Sequence, residues 1–106
     1  MRSFASLRRT ADFSRLRQRG RRTATANLTV YRGDAAPRDE RPLVGITVSK
    51  SVGTAVVRNR LRRRLAASLH ELLIPRARMR LLVVARPSAV ALPYASLRDE
   101  LRRALG

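Results

Sequence analysis

The chain has no cysteine and no tryptophan, one histidine (His70), seven acidic residues, two phenylalanines and two tyrosines. Without cysteine there is neither a disulfide scaffold nor a thiolate metal site. A reducing compartment is compatible with this, and the cytoplasm is the expected location. With no thiol nucleophile, a lone histidine on the polar side of its helix beside Glu71, and scattered acids, no catalytic constellation can be assembled. The same scarcity argues against a metal site, which would want several clustered His, Asp or Glu ligands. No catalytic residue and no metal ligand is therefore assigned to the protein. Long apolar runs are missing too. Stretches such as Leu81-Leu82-Val83-Val84-Ala85 are far shorter than the roughly 20 residues of a bilayer span, and Met1-Arg2-Ser3-Phe4 lacks the apolar core of a signal peptide. Neither a membrane nor a small-molecule substrate is an expected partner.

What the chain has in excess is positive charge. Its 106 residues carry 24 basic side chains, a formal net charge of +17, with a hydrophobic content of 44%. The length and apolar fraction predict one folded domain spanning 1–106, with residues 1–9 as a flexible basic arm. Like charge at this density opposes folding unless a polyanion offsets it, and nucleic acid is the usual polyanion. Lys50 is the only lysine; every other basic residue is arginine, whose guanidinium grips phosphate bidentately and stacks on bases. The charge is also uneven. Residues 1–30 hold eight arginines and one acid, residues 31–50 four basic and three acidic residues, and residues 51–66 five arginines and no acid.

Residues 10–19 read as a short helix, with Thr10 as N-cap, Asp12 in the first turn and Gly20 in a left-handed C-terminal position. From Arg22 to Arg32 the period changes to two. Ala24, Ala26, Leu28 and Val30 line one face, and Thr23, Thr25, Asn27, Thr29 and Tyr31 the other. A loop over Gly33–Pro42 follows, then a strand over Leu43–Ser49, the two strands expected as an antiparallel hairpin. A turn around Gly53 leads into a long helix, about Thr54 to Leu73, with Val57, Leu61, Leu65, Leu69 and Leu72 on its core side and Pro75 as its stop. Leu81–Ala85 suits a strand buried on both faces. Pro93 opens a last helix bearing Tyr94, Leu97, Leu101 and Leu105. The order α-β-β-α-β-α predicts a small α+β domain, a short sheet covered by helices.

The densest feature is Arg58-Asn59-Arg60-Leu61-Arg62-Arg63-Arg64. At 100° per residue, Arg60, Arg63 and Arg64 fan out opposite the leucine stripe, Asn59 and Arg62 lie to one side, and Arg58 sits near the stripe's edge. A merely solvated face would carry glutamates at i−4 or i+4 to relieve repulsion. Between Lys50 and Ala66 there are none, which points to a phosphate-binding surface. Among the aromatics, Phe13 could be core of its helix and Tyr94 reads as core. Tyr31, on the polar face of its strand, could stack a base.

The run Val48-Ser49-Lys50-Ser51-Val52-Gly53-Thr54-Ala55-Val56-Val57-Arg58-Asn59-Arg60-Leu61-Arg62-Arg63-Arg64-Leu65 closely resembles the signature of the bacterial ribonuclease P protein subunit. The early Leu7-Arg8-Arg9, Asp12-Phe13, Leu16 and Gly20-Arg21-Arg22 fit as well, as does Val83-Val84-Ala85-Arg86-Pro87 before an amphipathic terminal helix, so the likeness covers nearly the whole chain. It implies the fold of the second domain of a small-subunit ribosomal protein, with a mixed sheet and a left-handed βαβ crossover through the long helix. It implies that the protein binds the catalytic ribonuclease P RNA and the 5′ leader of precursor tRNA, assisting magnesium-dependent endonucleolytic removal of the leader. Catalysis and most of the Mg2+ would then belong to the RNA and the substrate. By this resemblance Lys50, Arg58, Asn59, Arg60, Arg62, Arg63 and Arg64 form the RNA-subunit surface, and Phe13, Arg17 and Tyr31 the leader cleft. Arg17 stands where the family usually has a second aromatic, and Arg80 where an acid commonly precedes the third strand. Basic residues are missing at Ser51 and Thr54, and Ala66-Ala67 replaces a charged pair. A ribosomal-type protein binding ribosomal RNA shares the composition and the fold class and is the alternative.

Overall fold

The computed structural model of the chain describes residues 3–73 and 78–106; the expected helix stop at Pro75 lies outside the described residues. The elements are β1 (Ala5–Ser6), α1 (Thr10–Arg19), β2 (Arg21–Ala24), β3 (Leu28–Asp34), β4 (Leu43–Val48), α2 (Ala55–Leu72), β5 (Met79–Ala85) and α3 (Tyr94–Leu105), with short 3-10 segments at Lys50–Val52 and Pro87–Ala91. The strands make one mixed sheet in the order β1-β4-β5-β3-β2. β4 is parallel to both β1 and β5, whereas β3 is antiparallel to β5 and to β2. The α+β domain expected from the sequence is the one observed. No helix among the described residues is long and apolar enough to cross a membrane.

β5 owes its central place to its composition: an unbroken apolar run can be buried on both sheet faces at once. Leu81, Val83 and Ala85 join Leu28, Val30, Val44 and Val48 in the main core, while Leu82 turns to the opposite face with Leu7 and Leu16. α2 and α3 cover the first face. Leu61, Leu65 and Leu69 of α2 and Leu97 and Leu101 of α3 are buried there, each worth about 1.5–3 kcal/mol relative to exposure. α2 starts at Thr54, whose hydroxyl accepts from the Val57 N–H at 3.4 Å.

Five expectations change. The stretch Arg22–Arg32 is not one strand but the β2–β3 hairpin, in register Thr23↔Val30. Its turn is held by Glu100 of α3, which accepts hydrogen bonds from Thr25 Oγ1 and from both the backbone and side-chain nitrogens of Asn27. Nor do β3 and β4 form a hairpin: β5 lies between them, and the chain crosses over through α2 to pair β4 and β5 in parallel. The described part of the expected flexible arm, residues 3–9, packs onto the domain instead. Phe4 and Leu7 are each only 5% exposed, Ala5 and Ser6 pair with Leu43 and Val44, and the Ser3 N–H donates to His70 Nδ1 at 2.8 Å. Finally, Thr10 is already helical, with Arg9 at the cap position. Gly20 is not left-handed (φ −69°). A side chain is excluded there by space, because a Cβ would lie 2.5 Å from the Leu16 carbonyl oxygen.

Candidate nucleic-acid interface

α1 packs on the sheet face opposite α2 and α3, and two glycines let it approach. A Cβ on Gly45 of β4 would come within 2.6 Å of Phe13 Cε1, and one on Gly33 of β3 within 2.7 Å of Leu16 Cδ2. The third anchor is polar. Arg80 of β5 is buried and donates from Nη1 to Asp12 of α1 at 3.0 Å. Its Nε and Nη2 hold the two carboxylate oxygens of Asp39 at 2.9 and 3.2 Å. The Arg80 hydrogen bond holds the Asp39 carboxyl below the usual carboxylate range despite its burial. Arg80 thus finds its acids in α1 and in the β3–β4 loop.

The register lines up Gly45, Leu82, Tyr31 and Arg22 across the sheet on the α1 side, with Thr47, Val84, Thr29 and Ala24 as the next line. Two strand spacings put Tyr31 about 10 Å from Gly45, beneath which no side chain competes with the Phe13 ring. Phe13 and Tyr31 are half-buried, both packed against the Leu7–Leu16–Leu82 cluster. Arg17, one helical turn beyond Phe13, is exposed. The structure therefore places Phe13, Arg17 and Tyr31 on one face of the molecule. Reading the sequence for aromatics and charge did not single out the line of residues beside them, Thr29, Thr47 and Val84. It also overlooked Arg22, level with Tyr31, and Arg86, whose Nη2 reaches Thr29 Oγ1 at 3.3 Å. The available signal was strand alternation, which puts Thr29 and Tyr31 on the same side.

The arginine helix borders this face. Asn59, Arg62 and Arg63 line a groove of about 370 Å³ together with Ser6, Phe13 and Gly45. Arg62 Nη1 donates to Asn59 Oδ1 at 2.9 Å, orienting the pair toward it. Lys50 and Arg60 are exposed, and Arg64 is half-buried on the other flank of α2. Arg58 is half-buried, and its Nε is enclosed without a hydrogen-bond partner among the described residues. Among the described residues, none of Lys50, Arg58, Arg60, Arg62, Arg63 and Arg64 makes an ion pair. Asp12 and Asp39 are bound to Arg80 and Glu100 to Thr25 and Asn27, and among the described residues no three acidic or histidine side chains cluster.

The profile of the Ribonuclease P family matches residues 1–106. The chain belongs to the ribonuclease P protein family. A similar member is the ribonuclease P protein component of Acidothermus cellulolyticus, 44% identical over 104 residues, covering 94% of this chain and 84% of that one. The ribonuclease P protein component of Thermus oshimai is 45% identical over 100 residues, covering 94% of this chain but 62% of that longer relative. A mutant of the Staphylococcus aureus RNase P protein has a similar structure, with a TM-score of 0.84 at 25% identity over 94% of this chain and 84% of that one. Family membership and fold thus agree, and the sheet face beneath α1 and the arginine flank of α2 are built on that common scaffold.

Proposed function

We propose that the protein binds the ribonuclease P RNA through Lys50, Arg58, Asn59, Arg60, Arg62, Arg63 and Arg64, and binds the 5′ leader of precursor tRNA across Phe13, Arg17 and Tyr31. One observation carries this reading: Asn59, Arg62 and Arg63 open into the same groove as Phe13. An RNA bound on α2 would thus lie beside a leader held against α1. The arginines supply phosphate affinity, and each phosphate neutralised releases condensed counterions. The half-buried rings offer stacking platforms suited to an unpaired strand. Arg17 and Arg22 add charge where a second ring is missing. The reacting groups and the magnesium ions belong, in this proposal, to the RNA and the substrate, with the protein positioning the leader and screening charge in the cytoplasm.

The test adds the purified protein to a bacterial ribonuclease P RNA at low magnesium and follows 5′ processing of precursor tRNA. Stimulated cleavage is expected, with no cleavage by the protein alone. A protein of the ribosomal type would give no specific stimulation, and magnesium-dependent cleavage without RNA would move catalysis onto the protein.

A further inference from the structure

α1 has a second basic side. Arg15 and Arg19 line a groove of about 520 Å³ whose opposite wall is Arg32, Gly33 and Asp34 at the end of β3. Those three residues also wall a neighbouring groove of about 370 Å³, completed by Arg21 and Arg78. All five arginines are exposed, as is Asp34. Asp12 and Arg80 also reach the larger groove; with Asp39 they form a cluster of one guanidinium and two carboxylates, so the five arginines face one surplus negative charge there besides Asp34. Among the described residues, Arg15, Arg19, Arg21, Arg32 and Arg78 make no ion pair. Arg32 and Arg78 reach only backbone carbonyls, Leu105 at 3.4 Å and Asp39 at 3.1 Å.

Arg21 and Arg32 are direct cross-strand partners. Like charges in that position destabilise an antiparallel pair, and Asp34, which shares the smaller groove with them, forms an ion pair with neither. A polyanion would relieve the repulsion. No aromatic side chain lines either groove, so the chemistry offered is phosphate binding rather than base stacking. The site is also separate from the α2 surface: β4, beside α2, and β2 are three strand spacings apart, about 14 Å.

We propose that these grooves form a second phosphate-binding surface, which takes the sugar-phosphate backbone of the leader where it continues beyond the Phe13–Tyr31 cleft. This rests on the leader reading above. The edge strand supplies the path. Arg22 stands level with Tyr31 on the cleft side of β2, and Arg21, the next residue, points to the opposite face. A chain passing over the outer edge of the sheet meets one and then the other. From Phe13 to Arg19 is six residues of helix, about 9 Å of rise, within the reach of a few nucleotides.

The test is the double variant Arg21→Gln/Arg32→Gln in the reconstituted holoenzyme, with precursor tRNAs of short and long leader and with mature tRNA. Wild type is expected to bind the long-leader precursor more tightly than the short. The variant should lose that advantage, and its salt slope for the long leader should fall by about 1.4, at about 0.7 per single-strand phosphate for two phosphates. Its affinity for the short-leader precursor and for the ribonuclease P RNA should match wild type. Because the change removes a repulsive pair, its thermal midpoint should not fall. Unchanged long-leader affinity would overturn the proposal, as would equal losses for long, short and absent leaders. A parallel Phe13→Ala holoenzyme separates the two readings. If Phe13→Ala leaves leader discrimination intact, the cleft itself is wrong. If only Phe13→Ala alters it, the cleft stands and the second surface falls.

Discussion

Arg80 grips Asp39 at both carboxylate oxygens, Nε to Oδ2 at 2.9 Å and Nη2 to Oδ1 at 3.2 Å, with only 4% of the Asp39 side chain exposed. Its remaining nitrogen holds Asp12 on α1, so one side chain ties together a loop, the central strand and the helix that carries Phe13. Removing one partner of a buried pair leaves the other charge stranded, at a cost of roughly 3–5 kcal/mol. Arg80→Ala should therefore destabilise the fold by about that much, measurable by urea unfolding. It should also loosen α1 more than α2, seen as faster amide exchange over residues 10–19.

The same pair sets an acid limit. Arg80 lowers the folded-state pKa of Asp39 from an ordinary value of 3.8, so the pair's stabilisation is present above that value and is lost as pH falls through the folded pKa. Glu100 acts in the same direction. Burial pushes its carboxyl up, but the hydrogen bonds from Thr25 and Asn27 outweigh this and leave it lowered. The thermal midpoint should fall steeply below about pH 4. Asp39→Asn should have a lower midpoint at neutral pH and a shallower decline in acid, which a midpoint series across that range would show.

The elements that local pattern controls were legible in the chain. The leucines of α2 repeat at helical spacing, and the apolar run of β5 announces a strand covered on both sides. Partners distant in sequence were not. Arg80 and Asp39 are 41 residues apart and Asn27 and Glu100 are 73 apart, so nothing local marks Arg80 as paired or Thr25–Asn27 as a turn. The alternation through that turn reads as one continuous strand. Ala5 and Ser6 are too short a segment to show a period, and they become a strand only because β4 offers an edge. Of the candidate site, charge and aromaticity point out the arginine run and the rings. Alternation already sets Thr29 on the Tyr31 side, whereas Thr47, Val84 and Arg22 join them only through register.

Gly45 is a space reserved for Phe13. A Cβ there would meet the ring at 2.6 Å, so Gly45→Ala should shift Phe13 off β4 while leaving its chemistry untouched. If the ring binds leader, Gly45→Ala and Phe13→Ala should both weaken binding of leader-bearing precursor and spare mature tRNA. Equal losses for the two ligands in a binding titration would show that Phe13 serves only as core.

The last prediction concerns the arginine helix. Arg60 is exposed, and Arg58 is half-buried with an Nε that has no hydrogen-bond partner among the described residues. Neither ion-pairs with another described residue, so reversing their charge removes no internal contact of that kind. The leucines that hold α2 lie elsewhere on the helix. Arg58→Glu with Arg60→Glu should therefore keep its circular dichroism and its thermal midpoint to within a few degrees, yet fail to bind ribonuclease P RNA. Losing two phosphate contacts should lower the salt slope by about 1.8, at about 0.9 per duplex phosphate, and two added carboxylates should repel the backbone outright. Arg60→Gln alone should give an intermediate loss. Wild-type affinity of the double variant at moderate salt, in a filter-binding assay, would mean that this face of α2 is merely solvated.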